Sequence, residues 1–436
     1  MTFAHKNGTP DDDLIYGNKR DVIIHALAGN DYVVGGVGND RIFGEEGNDS
    51  LSGYYGSDTI FGGDGNDVMS ASDFDSGNIG KMYGGAGDDT LGGGDVVDYS
   101  YGGAGNDVVH VYFDLGGAAK GGSGQDTLWM HFIGSSVATA GVTTDAHVVL
   151  NGPNAGASAG NQTMNISGFE VLNITTYEGN DTVVGGKFGD TIDVFSGANW
   201  VEAGAGDDLV SYRTGAENHL DGGTGKDWLE VAQPYRVGGL SLQVTGKAAV
   251  DGAGSVISHF EHYRVFGGDD VDTVTLGQWH DLFRGYAGDD TVAGMGGSDR
   301  INAGDGNDTV DGGSGDDWIS GGRGIDLLTG GDGADVFHFA GLDSLGDEIT
   351  DMQSGSDRII LNQVLVGGLV RLGAVGGGKF HLDVASGTAG QFVYRSAGVG
   401  QGELIWDSNG TLDGGEVLIA RLDGMPMLHA SDLFIL

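Results

Sequence analysis

Apolar residues recur along this chain every nine residues, most regularly between residues 267 and 338. Eight consecutive nine-residue units fill that stretch, and the eighth position of each unit is apolar. These residues are Val274, Phe283, Val292, Ile301, Val310, Ile319, Leu328 and Phe337. The last three residues of each unit therefore predict a very short strand in which only the eighth side chain faces the interior.

The polar positions of the same units are equally regular. Glycine dominates the first, second and fourth positions, so the first six residues can form a tight turn with inward carbonyl groups. The sixth residue is always aspartate: Asp272, Asp281, Asp290, Asp299, Asp308, Asp317, Asp326 and Asp335. Two turn-and-strand units predict one coil of a flattened, right-handed solenoid.

The sixth-position aspartates indicate a cation site. In the predicted solenoid each aspartate lies over the turn of a neighbouring coil, where carboxylate and carbonyl oxygens surround a hard cation. A site made of oxygen ligands, without sulfur, favours calcium over zinc or copper. The alternative for any single aspartate is a purely structural role in capping its turn.

The pattern G-G-x-G-x-D-x-U-x, in which U is apolar, resembles the calcium-binding nonapeptide repeats of RTX proteins. The resemblance implies an all-β fold: a right-handed parallel β-roll, that is, a calcium-binding β-solenoid, with a β C-terminal cap. Where the repeat stops, alternating apolar and polar residues predict two strand-rich insertions. Two units of the 267–338 stretch depart from the pattern, because Asp270 and Trp279 replace the fourth glycine.

The repeats divide the chain into blocks. We expect the following regions: an N-terminal cap of imperfect repeats at 1–25, repeat block I at 26–129, an insertion at 130–175, a degenerate block II at 176–230, a second insertion at 231–266, block III at 267–338, and a C-terminal cap with a secretion signal at 339–436. In the first unit, residues 16–24, this reading puts Asp21 sixth and Ile23 eighth, with His25 as one extra residue.

The candidate calcium ligands are the sixth-position aspartates of the better units. They are Asp31, Asp40, Asp49, Asp58, Asp67, Asp89, Asp107, Asp126, Asp181, Asp190, Asp208, Asp227, Asp290, Asp299, Asp308, Asp317, Asp326 and Asp335. Turn glycines at the second and fourth positions join them: Gly36, Gly38, Gly63, Gly65, Gly85, Gly87, Gly103, Gly105, Gly304, Gly306, Gly313, Gly315, Gly322, Gly324, Gly331 and Gly333. With roughly one ion per good repeat, we expect on the order of 12 to 18 calcium ions.

Block II and the insertions deviate from the repeat. Asn199 and Asn218 hold the sixth position of two block II units, and the loss of charge predicts turns without a cation. The insertions end in similar segments, SGFEVLNI and SHFEHYRV, which we interpret as edge strands stacked on the solenoid. A separate binding lobe is the alternative.

Composition restricts the partners. The chain has 88 glycines, 4 prolines, no cysteine and a net charge of −43. So acidic a protein is unsuited to nucleic acid or anionic membranes, and metal binding must supply free energy that a thin apolar core lacks. The sequence contains no apolar run of about 18 residues, the length that would predict membrane insertion. Its first residues lack the apolar core of a secretory signal.

The segment after residue 338 resembles the C-terminal cap of secreted RTX proteins, including the serralysin proteases. The ending is similar to the acidic-then-apolar ending of that family: Asp432, Leu433, Phe434, Ile435 and Leu436. The resemblance implies export, as an unfolded chain, by a type I secretion apparatus. Cytosolic calcium lies far below the ~10⁻⁴ to 10⁻³ M constants of extracellular modules, so folding would follow export.

The sequence has no protease or lipase signature, whereas its 63 acidic residues leave a pair of carboxylates for glycoside chemistry as an open alternative. A zinc protease needs H-E-x-x-H, whereas the cluster from His259 to His262 has the wrong spacing and lies in a predicted strand. Residues 156–160 match G-x-S-x-G, the lipase motif, but lie in what we interpret as a small-residue loop with no following helix. Aromatic residues that could stack on sugars are Tyr54, Tyr55, Trp129, Trp200, Trp228 and Trp318.

Taken together, these features predict a secreted, calcium-dependent β-solenoid without a catalytic domain. We expect an extracellular structural, surface-layer, matrix or adhesion component. Its expected partners are calcium ions and the type I secretion apparatus, with itself or cell-surface polysaccharide as further candidates. The alternative is a polysaccharide-modifying enzyme or glycan-binding protein that uses the two insertions.

Overall fold

The computed structural model describes residues 3–71, 79–92, 98–112, 117–131, 145–150, 156–159, 162–176, 178–232, 239–362, 373–374, 380–382, 390–408 and 416–436. Over these residues the chain is β-strand and turn, with no α-helix and two 3₁₀ turns at Leu342–Ser344 and Ala430–Asp432. The predicted all-β solenoid is confirmed. The chain forms two compact units, the first holding 1–212 and 216–227, the second 213–215 and 228–436.

The first unit contains most of the short strands of blocks I and II. Its strands are β1 (Ala4–Asn7), β2 (Leu14–Asn18), β3 (Val22–Ala28), β4 (Tyr32–Val37), β5 (Arg41–Glu46), β6 (Ser50–Tyr55), β7 (Thr59–Asp64), β8 (Val68–Ser70), β9 (Lys81–Ala86), β10 (Thr90–Gly92), β11 (Asp98–Ala104), β12 (Val108–Tyr112), β13 (Gly117–Ser123), β14 (Thr127–His131), β15 (Ala146–Val149), β16 (Gly156–Ala159), β17 (Gln162–Ser167), β18 (Val171–Thr175), β19 (Thr182–Val184), β20 (Thr191–Val194), β21 (Trp200–Glu202), β22 (Leu209–Arg213, whose last residue belongs to the second unit) and β23 (His219–Asp221).

The second unit contains the strands of block III and the longer strands of the C-terminal region. They are β24 (Trp228–Ala232), β25 (Ser241–Thr245), β26 (Ala248–Asp251), β27 (Val256–Ser258), β28 (His262–Phe266), β29 (Thr273–Thr275), β30 (Leu282–Ala287), β31 (Thr291–Ala293), β32 (Arg300–Asp305), β33 (Thr309–Ser314), β34 (Trp318–Arg323), β35 (Leu327–Asp332), β36 (Val336–Phe339), β37 (Asp347–Ile349), β38 (Arg358–Leu361), β39 (Gly373–Ala374), β40 (Phe380–Leu382), β41 (Gln391–Gly398), β42 (Gln401–Asp407), β43 (Glu416–Asp423) and β44 (Leu433–Ile435).

Regular strands of each unit pair in parallel with the strand one coil away. Thr309 lies beside Leu327, and Tyr32 lies beside Ser50, which is a shift of two nine-residue repeats. The eighth-position side chains are buried, for example Ile42 and Ile60 in the first unit and Ile301 in the second. Since each repeat contributes one large apolar side chain to the interior, the core of a coil is thin.

The edge position predicted for the two segments that end the insertions is wrong, because β18 pairs with both β14 and β20, and β28 pairs with both β24 and β30. Antiparallel strands precede both segments. In the first insertion β16 lies antiparallel between β15 and β17, while β17 pairs with β13 and β15 pairs with β19. In the second insertion β26 lies antiparallel between β25 and β27, and β25 pairs with β29. These strands join the sheet because their alternating apolar side chains, such as Val148 and Leu242, face the same interior as the repeats.

The small-residue loop predicted around residues 156–160 is wrong, because residues 156–159 form β16, the strand between β15 and β17. Ser158 pairs with His147 and Thr163 on the neighbouring strands. The geometry is extended strand on both sides, not the sharp strand-to-helix turn that a lipase nucleophile requires. Gly160, the last residue of the motif, lies outside the described residues.

The predicted register of the first repeat is wrong by one residue. Ile24, not Ile23, is buried in the eighth position and pairs with Ile42. His25, the supposed extra residue, takes the ninth position, and its ring stacks on Phe43 at a centroid distance of 4.7 Å. Asp21 consequently holds the fifth position of its turn.

This stacked pair begins a column of aromatic rings along the outer face of block I. Successive centroids are 4.7 to 5.0 Å apart and the planes differ by no more than 10°. The column consists of His25, Phe43, Phe61, Tyr83 and Tyr101. The Lys120 ammonium lies 5.3 Å from the Tyr101 centroid, so a cation covers the last ring face.

The C-terminal region changes to antiparallel pairing. Strands β41, β42 and β43 form a meander, and β43 returns to pair in parallel with β37. Strand β44 pairs in parallel with β38, which buries Leu433 and Ile435. Asp432, just before β44, is also buried, and its carboxylate accepts hydrogen bonds from the Ser354 hydroxyl at 2.6 Å and the His429 backbone at 2.8 Å.

Candidate metal centre

The aspartates link consecutive coils through one carboxylate oxygen. Asp49 Oδ1 accepts the backbone N–H of Asp31 at 2.8 Å, and Asp317 Oδ1 accepts that of Asp299 at 2.7 Å, each across 18 residues. The same bond recurs between successive sixth positions of blocks I and III. Since every such carboxylate is buried, these bonds form a ladder of shielded, charge-assisted links.

The ladder tolerates coils of unequal length. Asp67 reaches Asp89 across 22 residues, and Asp107 reaches Asp126 across 19. At the first insertion the Asp126 N–H donates to Glu170 Oε2 at 2.9 Å, so a glutamate takes the place of the next aspartate.

The second carboxylate oxygen, Oδ2, is the unusual atom of the site. In most regular turns it is buried and has no hydrogen-bond partner within the described part of the chain. This holds for Asp31, Asp40, Asp49, Asp67, Asp89, Asp107, Asp126, Asp208, Asp290, Asp299, Asp308, Asp317, Asp326 and Asp335. A buried, unpaired carboxylate oxygen is costly, so one such atom per turn indicates a site for a charged partner.

The first glycine of each repeat makes room for this oxygen. A Cβ on Gly44 would lie 2.2 Å from Asp49 Oδ2 and 2.5 Å from the Gly62 carbonyl oxygen of the next coil. A side chain there would fill the space that the two oxygens face. Carboxylate and carbonyl oxygens are the ligands that calcium prefers, so the donor set fits this cation.

The second and fourth positions require left-handed backbone. Gly63 and Gly65 have φ values of +125° and +132°, and a Cβ on either would lie about 2 Å from a carbonyl oxygen of the preceding coil. All the predicted turn glycines have positive φ. Five non-glycine residues adopt the same conformation at the second position: Leu27, Glu45, Tyr54, Tyr286 and Met295. The turn therefore imposes this backbone even on residues with a side chain.

Burial makes these carboxylates reluctant to ionise. It raises the pKa of Asp49 to about 6, of Asp308 to about 7 and of Asp299 to about 8. The backbone N–H bond of the ladder lowers the pKa in part, and neighbouring aspartates raise it further. Without a cation, these sites at neutral pH hold either a proton or an uncompensated buried charge.

A second class of turn supplies its own partner for Oδ2. Here Oδ2 accepts the backbone N–H of the residue four positions earlier. The pairs are Asp13 with Thr9 at 2.5 Å, Asp190 with Gly186 at 2.6 Å, Asp272 with Gly268 at 3.0 Å and Asp281 with Gly277 at 2.8 Å. Their fourth positions hold Asp11, Phe188, Asp270 and Trp279 in place of glycine. Asp190 is a predicted ligand, and the structure gives it this internal partner.

Sequence reasoning missed three carboxylates of the ladder. Asp347 Oδ1 accepts the Asp326 N–H, and Asp357 Oδ1 accepts the Asp335 N–H, both at 3.1 Å and beyond the regular repeats. Asp357 also bonds the Gln353 N–H through Oδ2 at 2.7 Å, although its fourth position is Gly355. The third carboxylate is Glu170. The only sequence signal for Glu170 is the Phe-Glu pair that the segments SGFEVLNI and SHFEHYRV share.

The side chains of the cluster at 259–262 do not meet at one site. Phe260 is buried, Glu261 forms an ion pair with Lys247, and the His262 ring stacks on Trp228 at 4.5 Å. Among the described residues no three His, Cys, Asp or Glu side chains form a metal-binding group. In the repeats, by contrast, a carboxylate oxygen and a backbone carbonyl oxygen border the same space at the first glycine.

The candidate sugar-stacking aromatics contact other rings. Each of the four tryptophans lies near a histidine ring, and the two tyrosines contact each other edge to face at 4.4 Å. The tryptophan pairs are Trp129 with His110 at 5.8 Å, Trp200 with His219 at 3.8 Å, Trp228 with His262 at 4.5 Å and Trp318 with His338 at 5.2 Å. Guanidinium groups also cover Trp228 and Trp318.

Comparison with known proteins supports the repeat assignment. A family model described as the RTX calcium-binding nonapeptide repeat matches residues 7–42, 34–69, 81–109, 175–210, 284–319 and 311–341. Among solved structures, the chain is similar to the extracellular lipase LipA from Serratia marcescens, with 15% identity and a TM-score of 0.19. The match covers 63% of this chain but 44% of the lipase, and it supports no inference about function.

No curated protein matches the chain significantly. Within the described residues, no helix has the length and apolar character needed to cross a membrane.

Proposed function

Since the chain carries RTX calcium-binding nonapeptide repeats in several copies, we propose that calcium ions fill its regular turns and that the solenoid orders only when they bind. The observation that carries the proposal is the row of buried aspartate Oδ2 atoms without hydrogen-bond partners. A cation at each turn would neutralise the carboxylate and occupy the space beside the first glycine.

The proposed set of aspartate ligands is smaller than the predicted set. The proposed ligands are the predicted sixth-position aspartates other than Asp190, together with the turn carbonyls of the same repeats. Asp190 is not among them, because the Gly186 N–H already satisfies its Oδ2. Asp58, Asp181 and Asp227 hold the same buried sixth position and stay in the proposed set.

We further propose that the protein acts outside the cell as a structural, surface-layer, matrix or adhesion component. Three features support this role. The net charge of −43 opposes folding until cations bind, the absence of cysteine suits export as an unfolded chain, and the calcium-poor cytosol would keep the chain unfolded before export. Export by a type I apparatus belongs to the same proposal.

The test is a calcium titration of the purified, EDTA-treated chain, followed by circular dichroism and light scattering in one sample. We expect a cooperative gain of β signal, followed by scattering from large ordered particles. A chain with full β signal in EDTA would contradict the calcium proposal. A chain that folds but stays monomeric would contradict intrinsic assembly, and the intact protein should then be assayed for glycan binding and turnover.

A further inference from the structure

Asn199 occupies a regular sixth position with a different second atom. Its Oδ1 accepts the Asp181 N–H at 2.9 Å, the same ladder bond that the aspartates make. The amide nitrogen Nδ2 is therefore placed where an aspartate carries Oδ2. It donates to the Phe195 carbonyl at 3.1 Å and the Gly197 carbonyl at 3.3 Å, the second and fourth residues of its own turn.

Asn218, the next residue of this ladder, repeats the arrangement. Its Oδ1 accepts the Asn199 N–H at 2.9 Å, and its Nδ2 donates to the Ala216 carbonyl at 2.9 Å. An aspartate at the same position carries an oxygen in place of this nitrogen, and an ionised carboxylate has no hydrogen to donate to these carbonyls. Oxygens brought together in this way need either a proton or a cation between them.

We propose that Asn199 and Asn218 are built-in replacements for the cation. Their amide groups close the two turns from within, so these turns hold no metal and need none to become ordered. The inference rests on the proposed calcium function of the aspartate turns, and it adds that asparagine amides hold together the turns that the ion leaves empty.

Few of the turns around Asn199 need a cation. The sixth positions between residues 185 and 221 are Asp190, Asn199, Asp208 and Asn218. Of these described residues, only Asp208 has a buried Oδ2 without a hydrogen-bond partner. This stretch of block II therefore depends on calcium far less than blocks I and III, once adjacent coils are in place.

The experiment exchanges the two side chains in both directions in the full-length protein. Asn199→Asp should gain one bound calcium ion, because Gly197 already has the left-handed backbone of a regular turn, with φ of +137°. Asp317→Asn should lose one ion. Ions per chain are counted by native mass spectrometry and by metal analysis after gel filtration in calcium.

A matched pair of variants keeps the test decisive if Asn199→Asp folds poorly. Asp317→Asn should lower the melting temperature in calcium much less than Asp317→Ala, since only the amide can donate to the turn carbonyls. Equal losses for the two variants, or an unchanged count in folded Asn199→Asp, would overturn the inference while the parent still binds calcium. A parent that binds no calcium would instead overturn the proposed function on which the inference rests.

Discussion

Block III contains both classes of aspartate turn side by side. In its first two repeats, the carboxylates of Asp272 and Asp281 bond backbone N–H groups with both oxygens. In the following six repeats, Asp290 to Asp335, one oxygen makes the ladder bond and the other has no partner in the described chain. Both regions share the nine-residue spacing and the buried eighth position.

The difference follows the fourth residue of the repeat. Where glycine takes a positive φ, as Gly306 does at +157°, the turn has the regular left-handed shape and Oδ2 is left bare. Where Asp270 or Trp279 stands there, φ is not positive, and the second-position N–H reaches Oδ2. Within block III, the backbone conformation of the fourth residue thus separates the carboxylates that bond their own turn from those whose second oxygen has no partner in the described chain.

Calcium removal should separate the two regions most strongly. In EDTA at neutral pH, we expect residues 285–338 to exchange amide hydrogens at least roughly tenfold faster than in calcium, because their buried charges lose their partners. Residues 263–284 should change less. Hydrogen-exchange mass spectrometry of the full chain measures both. Equal acceleration in the two stretches would refute the distinction.

Acid should stabilise the calcium-free chain in both regions. Burial raises the pKa of Asp281 and Asp308 to about 7, above the ordinary value of 3.8. The folded chain therefore binds more protons than the unfolded chain, so the metal-free fold is most stable below about pH 4 and loses stability as pH rises through about 7. Circular dichroism in EDTA should show more β structure at about pH 5 than at about pH 8. Identical spectra would contradict this linkage.

Alanine substitutions in the two classes of turn should affect different quantities, the calcium midpoint in one class and the stability in the other. Asp308→Ala removes a proposed ligand, so we expect a higher calcium midpoint for folding and an unchanged calcium-free spectrum. Asp281→Ala removes hydrogen bonds to Tyr263 and Gly277, so it should cost about 1–3 kcal/mol of stability with the midpoint little changed. Titrations followed by circular dichroism compare them. An Asp308→Ala midpoint equal to that of the parent would remove Asp308 from the ligand set.

The smallest expected effect is a gain of binding. Trp279→Gly should allow the left-handed turn and free Asp281 Oδ2 for one additional ion, offset by roughly 0.5–1 kcal/mol of glycine entropy. Trp279→Ala is the matched control, since alanine resists positive φ by roughly 1–2 kcal/mol. Calcium counting should separate the variants. If both bind the same number of ions as the parent, the fourth residue does not control the site.

The coil could be predicted from the sequence because its determinants are local. Glycine at fixed positions sets the turn, and one apolar residue per repeat, such as Ile301, sets the inward face. The position of each ladder aspartate follows from that period alone. In the degenerate repeats, the sequence also marked Asp270 and Trp279 as departures from the pattern.

What the sequence could not resolve depends on competition between nearby atoms. Asp190 fits the nine-residue spacing of the aspartates. The backbone of its own turn nevertheless determines that its Oδ2 accepts the Gly186 N–H and is not left for a cation. The register at Asp21 depends on the stacking of His25 on Phe43, which involves residues 18 apart. Strands β15, β17 and β25 of the insertions pair in parallel with strands of the flanking repeat blocks, and no local period encodes those partners.

The unequal steps of the aspartate ladder bear on how such a chain can evolve. Links that span 18, 19 or 22 residues make the same bond, so surplus residues leave the carboxylate contact intact. A gene segment encoding one coil could therefore be duplicated or lost without disturbing the coils on either side. Under the proposed calcium function, a change in the repeat count would also change the number of bound ions, and with it the calcium level at which the protein orders.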